Sequence, residues 1–234
     1  MFFDYLARGA KAGAVGGLLY GLFVAVVGNN FVAGLETFES GHADGGAAVA
    51  WSTAGFSVVA GVFWGLLFGL VVFGIAYYFL EPALPGDATT RSGVLAAGGF
   101  LTVSGAPWLV LPPQPPGVEQ ALATDARLAW YAGMMVAGAL AFGLAILAYR
   151  RVSVRDRRLA LVAATLPFAL LAVPVALAPA NPVHGSVPPA LVAAFRWTTV
   201  AGQLLLWATL AVAHVRFGST AETERVAVDP RAAD

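Results

Sequence analysis

Apolar residues dominate long stretches of this chain from Gly13 to Val215, and nearly all charged residues fall in the short segments between them. A helix that crosses the hydrocarbon core of a bilayer, about 30 Å thick, needs about 20 apolar residues. Six stretches approach this length: 12–33, 51–80, 93–111, 128–149, 159–178 and 190–215. The pattern predicts an all-α, polytopic membrane bundle of about six transmembrane helices, or five if the proline-containing fifth stretch does not span.

The positions of lysine and arginine predict how this bundle is oriented. Positive residues come before the first stretch, after the second, after the fourth and after the sixth, and five arginines lie within 150–158. Because positive residues in short loops tend to stay on the cytoplasmic side, we expect both termini to lie inside. We further expect residues 1–218 to form one membrane domain and residues 219–234 a polar, disordered tail.

Composition narrows the classes of function. Hydrophobic residues make up 59% of the chain and charged residues 11%, with a mean hydropathy of +0.78, so the lipid bilayer is its main expected partner and the plasma membrane its expected location. The chain has no cysteine, which excludes thiolate metal sites and leaves nitrogen and oxygen as ligands. It has no phosphate-binding loop and no catalytic motif, so we do not expect an enzyme. We do not expect a nucleic-acid partner either.

Glycine spacing predicts one close helix pair. Four glycines recur every fourth residue at the start of the chain and into the first stretch, and three do so in the second: Gly9, Gly13, Gly17, Gly21, Gly61, Gly65 and Gly69. Such stripes let two backbones approach closely in a membrane. We therefore expect the first two helices to pack tightly together.

Three outer segments carry candidate metal ligands. Glu36, Glu39 and His42 are spaced three apart, so on a helix they would share a broad face, and carboxylate with imidazole suits borderline metals such as cobalt, nickel or zinc. Asp125 follows the proline-rich segment 111–117, where it could equally cap a helix. His184 lies in a short proline-flanked loop, where a simple surface turn is the alternative. His214 is interpreted as an interfacial residue.

In this order, the segments resemble the CbtA family of predicted cobalt transporter subunits. The matching positions are 36–39, 106–107, 111–117, 125–131 and 182–191, which stand for the family's outer acidic segment, Ala-Pro, proline loop, aspartate and aromatic stretch, and histidine loop. Gln114 stands where the family often has glutamate, and the family is usually described with about five spans.

The resemblance implies that the chain transports a divalent cation, most simply cobalt taken up for cobalamin synthesis. It would then receive the ion at Glu36, Glu39, His42 and His184, with Asp125 as a fifth candidate. Cobalt would be cargo, and no permanently bound cofactor is expected. A small single-span, histidine-bearing, CbtB-like subunit is the implied partner. Association of the chain with further copies of itself, as an oligomer, is left open. The alternative is a non-conducting scaffold or accessory subunit that captures metal for that partner.

Overall fold

The computed structural model describes residues 2–40, 51–116, 118–185 and 187–228. The elements in chain order are α1 (Phe2–Phe23), α2 (Asn29–Ser40), α3 (Trp51–Phe68), α4 (Tyr77–Leu80), α5 (Ala88–Phe100), α6 (Ala106–Trp108), β1 (Glu119–Gln120), α7 (Thr124–Ser153), α8 (Arg157–Thr165), α9 (Ala172–Leu177), β2 (Val183–His184) and α10 (Pro189–Val228). The predicted all-α architecture is confirmed, with one two-stranded ribbon among the described residues.

Five helices of the described chain are long and apolar enough to cross a membrane. They are Phe2–Leu35, Trp51–Leu80, Thr124–Ser153, Arg157–Leu177 and Pro189–Ser219. The chain is therefore a multi-pass membrane protein. Most of the predicted third stretch, 93–111, is helical, as part of the segment Ala88–Trp108. This segment is not among the five, since its first turns carry polar residues such as Arg91 and Ser92.

The fifth predicted stretch qualifies as a span despite its two prolines. Pro167 lies at the start of a 3₁₀ segment, Leu166–Leu171, that joins α8 to α9. At the start of a helical segment the missing proline N–H removes no hydrogen bond that the segment needs. The alternative in which this stretch does not span is therefore wrong, because the helix adapts locally to the proline.

Three helices contain π-helical segments: Val24–Gly28, Gly69–Ala76 and Leu101–Gly105. A π segment inserts an extra residue per turn and leaves backbone carbonyls available to other donors. Tyr131 of α7 uses one of them, because its hydroxyl donates to the carbonyl oxygen of Val103 at 2.6 Å. The π segment of Leu101–Gly105 is thus tied to α7 by a hydrogen bond as well as by packing.

The helices group into two compact units. Of the described residues, the first unit takes 2–22, 56–97 and 205–228, and the second takes 23–40, 51–55 and 98–204. This division is finer than the single membrane domain expected from the sequence.

The first unit is built on a glycine seam, which we define as the seven glycines of the predicted stripes. A Cβ added at Gly17 would lie 2.5 Å from the carbonyl oxygen of Gly61 and 2.8 Å from the Cα of Val62. Contacts of 3.4–4 Å are ordinary, so only glycine fits there. The predicted close pair of α1 and α3 is confirmed, and backbone lies directly on backbone.

The second unit is built on α7. Met134 and Ala141 of α7 are buried against Ala106 of α6 and Leu171, and together they form a small apolar core. The short turn between α7 and α8 is closed by Asp156, whose carboxylate accepts hydrogen bonds from the first backbone N–H groups of α8. A turn this short makes α7 and α8 antiparallel neighbours.

Helix α10 continues as far as Val228, beyond the expected start of the tail at Ser219. The separation of residues 1–218, as one membrane domain, from residues 219–234, as a disordered tail, stays a prediction. Alanine, glutamate and arginine within 219–228 favour helix. Residues 229–234 lie outside the described part of the chain.

Candidate functional site

The ribbon brings two distant loops of the second unit together. β1 and β2 pair in antiparallel fashion, with Glu119 opposite His184 and Gln120 opposite Val183. One strand precedes α7 and the other precedes α10. The ribbon therefore joins the proline-rich segment to the histidine loop, which the sequence separates widely.

Asn181 fixes the register of this ribbon. Its side-chain oxygen accepts a hydrogen bond from the backbone N–H of Leu122 at 3.1 Å, and its amide nitrogen donates to the side-chain oxygen of Gln120 at 3.0 Å. A backbone bond from Ala121 to Pro182 adds a third link at 3.1 Å. A two-residue ladder is weak by itself, so these side-chain bonds are needed to hold it.

Glu119 and His184 form the best carboxylate and imidazole pair among the described residues. Directly opposed residues of an antiparallel pair project to the same face, with Cβ atoms about 5 Å apart. Both residues are exposed, and neither side chain makes a hydrogen bond or ion pair with another described residue. An oxygen and a nitrogen ligand at this spacing suit a borderline divalent cation.

The structure describes the side chains of only some of the other predicted ligands. Glu36 and Glu39 belong to the last turns of α2, where only the backbone is described, and His42 lies outside the described residues. Asp125 is exposed in the first turn of α7, where a carboxylate stabilises the positive helix end. The grouping of these residues as one metal site therefore stays a prediction.

Within the described residues, no three histidine, aspartate or glutamate side chains come together as a complete metal site. Glu119 and His184 supply two ligands, and a cation bound there would complete its coordination with water or with ligands from elsewhere. Such a partly hydrated site binds and releases a metal more readily than a closed cage does.

The proline-rich segment is held rigidly beside the ribbon. Arg196 of α10 donates from Nε to the carbonyl oxygen of Pro113 at 3.2 Å and from a terminal nitrogen to the side-chain oxygen of Gln114 at 3.1 Å. Gln114 is thus a structural acceptor for Arg196. This role explains how the side chain of Gln114 helps to hold the proline-rich segment.

A cavity of about 400 Å³ opens between the proline-rich segment and the start of α7. Its walls include Trp108, Gln114, Gln120, Arg127 and Tyr131. Arg127 donates to the hydroxyl of Thr124 at 3.0 Å. The cavity carries a positive side chain and no carboxylate on its walls, so a bare cation would be held at the ribbon rather than here.

The first unit contains a second polar group, which we call the histidine cluster: Arg8, Tyr77, Glu81, Ser92 and His214. His214 is completely buried, and its Nδ1 shares a hydrogen bond of 2.9 Å with the hydroxyl of Ser92. Its ring packs edge-on against Tyr77 at a centroid distance of 4.5 Å. The interpretation of His214 as an interfacial residue stays a prediction, and the structure shows in addition that helices distant in sequence cover its side chain.

Arg8 ties the histidine cluster to its surroundings. Its Nε donates to the carbonyl oxygen of His214, and its guanidinium lies 5.7 Å from the centre of the Tyr77 ring. Glu81 pairs with Arg91 at 3.6 Å and accepts a hydrogen bond from the Tyr5 hydroxyl. The cluster thus joins the start of α1, the end of α4, the start of α5 and the last part of α10 at one end of the first unit.

Sequence analysis did not select Glu119 as a ligand. Its link to His184 depends on strand register, and the available signal was a carboxylate just before a helix start and a histidine in a similar place. A search for ligand types at loop ends would have found both.

Comparison with known proteins identifies a family for this chain. A family model described as "Probable cobalt transporter subunit (CbtA)" matches residues 2–218. Searches among curated proteins and among solved structures gave no match. The matched region covers four of the long apolar helices completely, the fifth except for its last residue, and both strands of the ribbon. The resemblance seen in the sequence is confirmed, and the chain belongs to the CbtA family of probable cobalt transporter subunits.

Proposed function

We propose that this chain is the membrane-embedded subunit of a cobalt uptake system in the plasma membrane, and that the ion it brings in supplies cobalamin synthesis. The observation that carries the proposal is the opposed pair Glu119 and His184 on the ribbon of a CbtA family member. The pair combines the ligand types that a Co²⁺ ion accepts, on an exposed surface where an arriving ion can exchange its water.

Capture at the ribbon would recruit further ligands from the acidic segment that ends α2. Glu36, Glu39 and His42 are the proposed contributors, with Asp125 as an additional carboxylate. Together they would supply the coordination positions that two ligands leave open. A small single-span, histidine-bearing, CbtB-like subunit is the proposed partner that could receive or deliver the ion.

The membrane potential can drive such uptake without ATP. Moving one elementary charge through 100 mV is worth about 2.3 kcal/mol, so a divalent ion gains about twice that amount in an inward-negative potential. Collapsing the potential should therefore abolish accumulation, and undiminished uptake would contradict this coupling.

The second candidate function is a non-conducting subunit that captures metal and passes it to its partner. The lack of a three-residue metal group among the described residues favours this alternative, because conducting metal transporters usually hold their ion with several ligands inside the membrane. The two candidates differ in whether this chain alone moves the ion.

The test is uptake of radioactive cobalt into metal-starved cells that express this chain alone or with its single-span partner. We compare the parent with Glu119→Gln, with His184→Ala and with the double variant, and use nickel as competitor. Because the two residues act on one ion, each single change should reduce uptake about as much as the double change does.

Glu81→Gln is the matched control, since it neutralises a carboxylate of the first unit that is already bonded to Tyr5 and Arg91. Uptake by the chain alone supports transport, and uptake only with the partner supports the accessory role. Full uptake by the double variant, inserted at parental levels, would refute capture at the ribbon.

A further inference from the structure

A groove on the lipid-facing side of the second unit is the strongest feature that the function above leaves unexplained. It lies between α7 and the segment that follows α8, and has a volume of about 590 Å³. Leu144 and Leu147 of α7 form one wall, and Leu166 and Leu170 form the other. Pro167 also lines the groove and lies at the start of the 3₁₀ segment that forms this second wall.

One end of the groove is positively charged. Arg151 lines it and is exposed, and four more arginines lie within one turn on either side of the α7–α8 connection: Arg150, Arg155, Arg157 and Arg158. Asp156 is the one acidic residue in this stretch, and α8 already uses its carboxylate as a cap. None of the five guanidinium groups has an ion pair among the described residues.

We propose that this groove is a binding site for an anionic phospholipid, with an acyl chain along the leucines and the phosphate at Arg151. Basic pockets between membrane helices on the cytoplasmic side bind anionic headgroups in this way. The N-terminus of α8 adds partial positive charge at the same end.

The dimensions of the groove favour a lipid over a partner helix. From Leu144 to Arg151 the groove follows α7 for two turns, which is about 10 Å at 1.5 Å per residue. A membrane-crossing helix would need a contact surface closer to 30 Å. The phosphate and the first part of one acyl chain fit the shorter length, and they use both the apolar wall and the charged end.

The experiment measures lipid binding to the purified full-length chain in detergent by native mass spectrometry. Phosphatidylglycerol and phosphatidylcholine with identical acyl chains are the two probes. We expect phosphatidylglycerol to bind at least about fivefold more tightly, which corresponds to roughly one well-placed arginine. Equal binding of the two lipids overturns the proposal.

Two pairs of variants locate the site. Arg151→Gln should weaken phosphatidylglycerol binding about fivefold, whereas Arg150→Gln, with the same loss of charge one residue outside the groove, should have less than half that effect. Leu147→Trp should fill the groove and weaken both lipids, whereas Leu140→Trp, exposed on the same helix outside the groove, should leave binding unchanged. Equal effects within either pair overturn the proposal, because they indicate only general attraction to the basic end or to the helix surface.

Discussion

A single methyl group added to the glycine seam should weaken the first unit measurably. In Gly17→Ala the new Cβ would lie 2.5 Å from the carbonyl oxygen of Gly61, where ordinary contacts begin at 3.4 Å. The two helices must then move apart by about 0.9 Å, since the obstructing atom belongs to backbone. A gap of 0.5–1 Å forfeits a quarter to a half of each contact's attraction.

Overpacking of this kind costs about 1–3 kcal/mol. For a chain of this size, each kcal/mol lowers the melting midpoint by roughly 2–4 °C, so we expect Gly17→Ala to melt roughly 2–12 °C below the parent. The assay is thermal unfolding of purified protein in one detergent, followed by the loss of the monodisperse peak in size-exclusion chromatography.

Gly133→Ala is the matched control, because Gly133 lies within α7 and a Cβ there meets nothing within 4 Å. Its midpoint should stay level or rise slightly, since alanine favours helix over glycine. The reasoning fails if Gly17→Ala melts within about 1 °C of the parent, or if Gly133→Ala loses as much stability as Gly17→Ala.

Three further outcomes can be checked with the same unfolding assay. Ser92→Ala leaves the Nδ1 of buried His214 without its partner and should cost about 1–3 kcal/mol, and the loss should shrink in a His214→Leu background. Arg196→Met should destabilise more than Gln114→Ala, because the arginine also donates to a backbone carbonyl of the proline-rich segment; equal losses would contradict that role. The backbone N–H of Thr90, at the start of α5, donates to the Asp87 carboxylate and holds the pKa of Asp87 below its ordinary value of 3.8. The ionised Asp87 therefore stabilises the fold at neutral pH, and this stabilisation is lost as the pH falls through the lowered pKa. The variant Asp87→Ala should differ in stability from the parent at pH 7 and converge with it in acid.

Local patterns in the sequence predicted the features that depend on local physics. Runs of apolar residues identified the membrane helices, because the bilayer requires about 20 of them in succession. The four-residue spacing of glycines identified the close approach of α1 and α3, because residues four apart share one helix face. Neither inference required knowledge of distant contacts.

The remaining features depend on which segments meet. The pairing of Glu119 with His184 follows from strand register, and the burial of His214 follows from packing against Phe73 and Tyr77 of another helix. Pro167 was misjudged for a different reason, since a rule that treats proline as a helix breaker does not foresee a 3₁₀ segment that continues the span.

The glycine seam also limits where an ion could permeate. A hydrated cation needs a passage at least as wide as its retained water, and along the seam the two backbones are too close even for a methyl group. Widening that seam by the amount required would separate the two helices along about three turns at once. A conducting route therefore cannot run along the faces by which α1 and α3 touch each other.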